Sequence, residues 1–259
     1  MIKIAIAGAA GRMGMRLIQL AKEESQLQVT VLLERRGSAL VSQELIPGIK
    51  VQSNLEKAAE QFDVLIDFTT PEATVENIKT LAKYPKYAVI GTTGLSGRQI
   101  ETIKKCSETI GVVFSPNMST GVNALFEIVR KAASLLKDYD MEILEAHHNK
   151  KKDAPSGTAL KLADVIAQVK NSDLKKNAVY GRCGGNVLRD KEEIGIHALR
   201  AGDIVGEHTV YIAGSGECIE LKHTAYTRDA FARGALRAAA WLYGKPNGFY
   251  SMKDVLGIE

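Results

Sequence analysis

Cysteine is scarce in this 259-residue sequence: Cys106, Cys183 and Cys218 form an odd, widely spaced set without a CxxC pair. That argues against both a disulfide framework and a zinc site and favours a reducing compartment. Long apolar runs are missing as well, since no uninterrupted stretch approaches the ~18 residues needed to cross a bilayer, and no membrane association is expected. The sequence enters a strand-like run at Ile2, which leaves no room for a secretory leader, so a cytoplasmic location is the expectation. Charge of one sign is also lacking: 34 Lys and Arg against 30 Asp and Glu leave a formal +4. This is too dispersed for a nucleic-acid footprint, although an anionic small molecule would feel a mild attraction. Internal repeats, low-complexity stretches, GxSxG and HExxH are all absent, and a hydrolase is disfavoured.

What is present, 45% hydrophobic and 25% charged residues, suits a globular chain with one large domain or two modest ones. The first half alternates short apolar runs with helical patterns, as a parallel sheet wrapped by helices does. Its expected strands are Ile2–Ala7, Val29–Leu33, Val64–Phe68, Ala88–Ile90 and Val112–Phe114. Pro71 with Glu72 marks a first helical turn, and Ser96 is an expected N-cap. In the second half Ile194–Leu199, Thr209–Ala213 and Cys218–His223 alternate with period two, and a mostly antiparallel sheet is expected. Gly214-Ser215-Gly216 reads as a hairpin between the last two. The spacing of Phe231, Ala235, Leu236, Ala239 and Leu242 predicts a helix over 228–243 that packs back on the first domain.

Gly8-Ala9-Ala10-Gly11-Arg12-Met13-Gly14 follows the first strand and opens a helix, so its amides can face a pyrophosphate. The spacing is GxxGxxG, a weak signal by itself that the strand-to-helix context strengthens. Glu34, at the end of the second strand, can accept hydrogen bonds from ribose hydroxyls. Arg35 and Arg36 can instead hold a 2′-phosphate, so NADH and NADPH both stay open. Gly91-Thr92-Thr93-Gly94 and Ser115-Pro116-Asn117-Met118 leave strands of the same sheet on its ligand-binding edge, although either alone also suits an ordinary turn.

The stretch Glu145–Leu160 sets His147 and His148 beside Lys150, Lys151 and Lys152, then turns through Pro155 into a helix start. Ser156 or Thr158 can cap that helix, and the amides of Gly157 and Thr158 suit a carboxylate. Histidine exchanges protons near neutrality and an ammonium group can donate one. The bland alternative, two histidines ending a strand before a solvated charge run, stands about even without the Ser-Gly-Thr turn. A metal site is disfavoured by the cationic neighbours and the lack of a carboxylate or thiolate pattern.

Over nearly its full length the sequence resembles the 4-hydroxy-tetrahydrodipicolinate (dihydrodipicolinate) reductase family. The likeness rests on Gly8–Gly14, Gly91–Gly94, Glu145–Leu160, Arg200–Thr209 and Met252–Leu256. The resemblance implies an α/β fold, with a Rossmann-like domain over 1–118 and 229–259. It also implies an α+β substrate-binding and oligomerisation domain over 119–228, and a homotetramer. It implies NADH or NADPH as hydride source, a small dicarboxylate substrate in lysine and diaminopimelate synthesis, and no metal. His147 would be the proton donor or acceptor and Lys151 a proton donor in contact with substrate, while His148, Gly157 and Thr158 would bind the dicarboxylate. Gly8, Ala9, Ala10, Gly11, Arg12, Met13, Glu34, Arg35, Gly91, Thr92, Thr93, Ser115, Pro116, Asn117 and Met118 would hold the dinucleotide. Two departures stand out: Asn149-Lys150 follows the histidines where relatives often carry Arg-His, and Thr70 replaces a basic residue near the cofactor. Rival readings are an aspartate or diaminopimelate dehydrogenase, which would share the glycine loop but lack the His-His-Lys-Ser-Gly-Thr set, and a non-catalytic dinucleotide sensor.

Overall fold

The computed structural model describes residues 1–185 and 187–258. Its strands in chain order are β1 (Ile2–Ala7), β2 (Leu27–Leu33), β3 (Glu44–Ile46), β4 (Ile49–Gln52), β5 (Val64–Asp67), β6 (Tyr87–Ile90), β7 (Gly111–Phe114), β8 (Asp140–His147), β9 (Ala178–Tyr180), β10 (Ile194–Arg200), β11 (Gly206–Gly214), β12 (Glu217–Ala225) and β13 (Gly248–Tyr250). The helices are α1 (Arg12–Ala21), α2 (Leu55–Ala58), α3 (Pro71–Leu81), α4 (Gly97–Cys106), α5 (Thr120–Leu135), α6 (Gly157–Lys170), α7 (Leu174–Asn177), α8 (Asp229–Leu242) and α9 (Met252–Leu256). Two compact units result, one comprising Met1–Thr120 and the segment from Arg228 on, the other Gly121–Thr227.

In the first unit the strands lie in the order β13-β7-β6-β5-β1-β2-β4-β3, and every described ladder but β3–β4 is parallel. Apolar residues fill both faces of the inner strands, as a sheet covered on two sides requires. Ile4 and Ile6 of β1 join a core with Leu17 of α1 and Leu236 of α8. Ala5 and Ala7 face the opposite core, with Ile78 of α3 and Ile103 of α4. The helix starts are set by short-range chemistry: Thr70 accepts from the Ala73 amide with Pro71 next, and Ser96 forms a capping box with Gln99. Chain order reverses between β1 and β5, which puts the ligand crevice of such a sheet beyond the carboxyl ends of those two strands.

The second unit holds a five-stranded sheet, β12-β11-β8-β10-β9. It is only half antiparallel: β11 runs against β8 and β12, whereas β10 runs parallel to both β8 and β9. The expectation of a mostly antiparallel sheet missed β8, whose alternating Met141, Ile143, Glu145 and His147 are buried. This strand is followed by the crossover helix α6, which makes the β8–β10 connection parallel. Ser215 and Gly216 join β11 to β12 in a tight hairpin, as read from the sequence. The core lies between this sheet and α5 and α6, with Val129, Met141, Ile143, Leu162, Ile166 and Val210 at its centre.

Helix α8 seats against the rest of the first unit at Gly234, where an added Cβ would stand 1.7 Å from the Met118 carbonyl oxygen. The Arg16 guanidinium holds Asp229 at the start of the same helix through two bonds of 2.6 and 2.5 Å. Because the obstacle is backbone, Gly234→Ala is expected to destabilise by about 1–3 kcal/mol, the usual range for overpacking. Calorimetry should read a melting temperature several degrees lower, and an unchanged melting temperature would contradict this seating.

Candidate active site

In the first unit, the turn after β1 is built to receive something against its backbone. Gly8 adopts φ +73°, its amide and that of Ala9 donate to the Leu33 carbonyl, and the Gly11 amide donates back to Gly8. A Cβ at Gly14 would lie 2.2 Å from the Gly8 oxygen. Gly11, the N-cap of α1, makes no side-chain cap, and the first turn holds no acidic residue. First-turn amides without an acidic residue of their own helix suit a phosphate group. Glu34 accepts a 2.8 Å hydrogen bond from the Ala10 amide, which ties the end of β2 to this loop. Arg12, Arg35 and Arg36 are exposed beside it and Met13 is half-buried. These features fit a dinucleotide.

The two other loops are less open than their sequences suggested. Thr92 is buried and its hydroxyl turns inward to Asp67, while Gly91 is also buried and Thr93 is exposed. Ser115 spends its hydroxyl on the Asn117 carbonyl, Pro116 is exposed, and the Met118 side chain belongs to the hydrophobic core. Contributions from Thr92 and Met118 to a ligand would therefore come from backbone atoms.

In the second unit, strand register gathers the polar groups. Arg200 pairs with His147 across β10 and β8, and His208 pairs with Glu145 across β11 and β8. Glu145 is fully buried, and its carboxylate is saturated. Arg200 grips it through two nitrogens at 2.9 and 2.8 Å, the Ser156 amide donates at 2.9 Å, and His147 Nδ1 lies 2.5 Å away. Burial opposes ionisation of Glu145, but the hydrogen bonds from Arg200, His147 and Ser156 outweigh it and hold the pKa below the usual carboxylate value. An ionised carboxylate only accepts, so Nδ1 of His147 carries the hydrogen and neutral His147 presents a bare Nε2. Burial pushes the His147 pKa down, and the charges of Lys151 and Arg200 add to that against the pull of Glu145.

The loop after β8 is tied to the same anchor, since Arg200 also donates to the Asp153 carbonyl at 2.6 Å. Lys151 Nζ is held by both Asp153 oxygens, at 2.8 and 2.9 Å. Ser156 caps α6 by accepting from Ala159, and its hydroxyl meets His208 Nε2 at 2.9 Å. Gly157 is exposed, with open space where a Cβ would stand. Thr158 and His148 are half-buried, and His148 Nδ1 has no hydrogen-bond partner among the described residues. His147, His148, Lys151, Gly157 and Thr158 thus belong to one strand end, the turn after it and the helix that follows.

Glu145, Arg200, His208 and Asp153 were not read as site residues from the sequence. The signal available was local: positions 145 and 147 of one strand share a face. The argument that no carboxylate stands near the histidines fails at Glu145. Its capacity is taken up by Arg200 and Ser156, and no metal-capable group of three occurs among the described residues.

Family models for dihydrodipicolinate reductase match the chain, the N-terminal model over residues 2–118 and the C-terminal model over 121–256. The chain belongs to the dihydrodipicolinate reductase family. The family is one of NAD(P)H-dependent oxidoreductases whose N-terminal domain is a nucleotide-binding Rossmann fold. The chain is 48% identical to 4-hydroxy-tetrahydrodipicolinate reductases of Syntrophotalea carbinolica and Geobacter metallireducens, with all of both chains covered in each case. Its fold is similar to that of a dipicolinate-bound dihydrodipicolinate reductase from Paenisporosarcina sp. TG-14, with TM-score 0.80, 25% identity and 97% of each chain covered. A diaminopimelate dehydrogenase of C. glutamicum shares the fold alone, at TM-score 0.58 and 13% identity, with 97% of this chain and 92% of that chain covered.

His208 gives this unit a pH signature. Burial, with the neighbouring His147 next, lowers its pKa to about 3. A histidine whose folded pKa lies below its unfolded one contributes stability that is complete above pH ~6.5 and is lost as pH falls toward 3. Its share of the unfolding free energy should drop by about 1.4 kcal/mol per pH unit between pH 6 and 4. Denaturant titrations across that range should show His208→Gln with a shallower slope than the parent, and an equally steep variant would contradict a neutral, buried His208.

Proposed function

We propose that this chain reduces 4-hydroxy-tetrahydrodipicolinate to tetrahydrodipicolinate with NADH or NADPH, in lysine and diaminopimelate biosynthesis. The observation that carries the reading is the Glu145-anchored His147, with Lys151 on the adjoining turn and an approachable helix start at Gly157. The full-length likeness to reductases of that name supports the same substrate.

In this reading the first unit binds the dinucleotide. The amides of Arg12 and Met13 at the start of α1 receive the pyrophosphate over the close-packed Gly8–Gly11 turn, Glu34 and Arg35 lie at the adenosine end, and Gly91–Thr93 with Ser115–Met118 border the nicotinamide. The cofactor supplies the hydride when bound. Glu34 can exchange the Ala10 amide for ribose hydroxyls, while Arg35 is free to meet a 2′-phosphate, so both nucleotides are accepted.

The second unit binds the substrate. Amides at Gly157 and Thr158, the N-terminal end of α6 and the His148 ring take the carboxylates. His147 works through Nε2, the nitrogen left without a hydrogen in the neutral ring: it accepts a proton from the carbon beside the hydroxylated one and returns it to the departing hydroxide, which leaves as water. Lys151, as an ammonium ion released from Asp153, donates the proton that balances the hydride. Glu145 holds the imidazole in place for this exchange and stabilises its charged form.

The sheet face opposite α6 carries exposed Leu144 and Leu199 beside a cluster in which Glu142 binds Arg182, Arg189 and His197. Such a patch suits burial against another copy, and a cytoplasmic homotetramer is the assembly proposed.

Mixing the purified protein with freshly made 4-hydroxy-tetrahydrodipicolinate should bleach the nicotinamide absorbance of NADH or NADPH, and no bleaching with either would overturn the assignment. Lys151→Ala and His147→Ala should each lower kcat by about 10²–10⁴-fold, the usual span for a lost general acid or base, with NADH affinity kept. Normal turnover in Lys151→Ala would remove its role as donor.

A further inference from the structure

Asp67 ends β5 with its carboxyl group wholly buried, and none of its partners among the described residues carries a charge. Oδ1 accepts from the Thr69 amide at 3.0 Å, the Thr69 hydroxyl at 2.6 Å, the Thr74 hydroxyl at 3.1 Å and the Thr92 hydroxyl at 3.2 Å. Oδ2 accepts from Asn77 at 2.9 Å. Burying a carboxyl group among neutral donors is costly in either protonation state, so the arrangement calls for a reason.

The donors come from two stretches of chain: the turn after β5 with the helix α3 that follows it, and, 25 positions from Asp67, the loop after β6. A second layer ties them together, because the Thr74 hydroxyl also reaches Thr92 at 2.8 Å and the Thr69 amide reaches the same hydroxyl at 3.0 Å. On its other side the turn abuts the glycine loop: a Cβ on Gly8 would stand 3.0 Å from the Phe68 oxygen and 3.2 Å from the Thr69 methyl. Asp67 therefore sits beneath the point where chain order reverses, and fixes the ends of β5 and β6 relative to each other and to the turn after β1. Parallel strand ends have no ladder beyond them to set loop geometry, so a shared buried acceptor can do it.

We propose that Asp67 is a positioning residue for the nicotinamide dinucleotide, its carboxyl group holding the turn Phe68–Thr70 and the loop Gly91–Thr93 in the one arrangement that accepts the cofactor. The proposal rests on the reading that the first unit binds NADH or NADPH, which wild-type binding tests separately. Without Asp67 the three hydroxyls lose their common acceptor, and the two loops are free to move apart while the sheet beneath them stays paired.

The test is NADH binding followed by nicotinamide fluorescence, alongside binding of pyridine-2,6-dicarboxylate by calorimetry. Asp67→Ala should weaken NADH at least tenfold and raise its KM more than it lowers kcat, with dicarboxylate affinity within twofold of the parent. Asp67→Asn keeps an oxygen for Thr69, Thr74 and Thr92 and should recover most of that loss. Thr92→Val, which removes one donor at equal volume, should cost NADH affinity about threefold and serves if Asp67→Ala does not fold. NADH affinity unchanged in Asp67→Ala or, if that variant does not fold, in Thr92→Val would overturn the proposal. So would Asp67→Asn as weak as Asp67→Ala, or parallel loss of both ligands. Absence of NADH binding in the parent would instead sink the reading of the first unit.

Discussion

Everything in the second unit that bears on chemistry leans on one buried carboxylate. Glu145 is the point where the core-facing row of β8 turns from apolar to polar, and its two oxygens are shared among Arg200, His147 and the Ser156 amide. One group thereby fixes a strand end, a neighbouring strand end and a helix start. It also decides which imidazole nitrogen bears hydrogen. A buried ion pair of this kind is weak evidence for stability, since removing two charges from water offsets most of their attraction. Its contribution is specificity of geometry: the loop carrying Lys151 is short, and Arg200 holds it by the Asp153 carbonyl as well.

The dinucleotide unit solves its loop problem in a similar way with different chemistry. There the strands are short, parallel and buried on both faces, so their carboxyl ends carry loops that no ladder restrains. Backbone contacts secure the glycine turn, Glu34 links it to β2, and Asp67 gathers the next two loops. In both units an acidic side chain at a strand end gathers local donors together with one from a segment distant in sequence, Arg200 for Glu145 and Thr92 for Asp67. Neither residue faces solvent, and neither is an obvious ligand contact.

Those features explain what could be read from the sequence. Strands β1, β2, β5, β6 and β7, the caps at Ser96 and Ser156, and the Ser215-Gly216 hairpin follow from local pattern and were legible to within two residues. The short β3, β4, β9 and β13 carry too few residues to show a period. Strand β8 was hidden because its buried row includes a glutamate and a histidine, which look like surface residues until Arg200 is brought beside them. The same is true of the site: His147 and Lys151 stand in one conspicuous segment, whereas Arg200 and His208 lie more than 50 positions from Glu145 and reach it only through register. Thr92 and Met118 are the reverse case, polar or loop-like in sequence but with side chains turned into the interior.

Nitrogen-15 NMR of histidine-labelled protein reads the central claim directly. With Glu145 ionised against it, His147 at neutral pH should be an uncharged ring with hydrogen on Nδ1 and the chemical shift of an unprotonated nitrogen at Nε2, and Glu145→Gln should shift this balance. Hydrogen on Nε2, or a charged imidazolium in the parent protein at pH 7, would contradict the account.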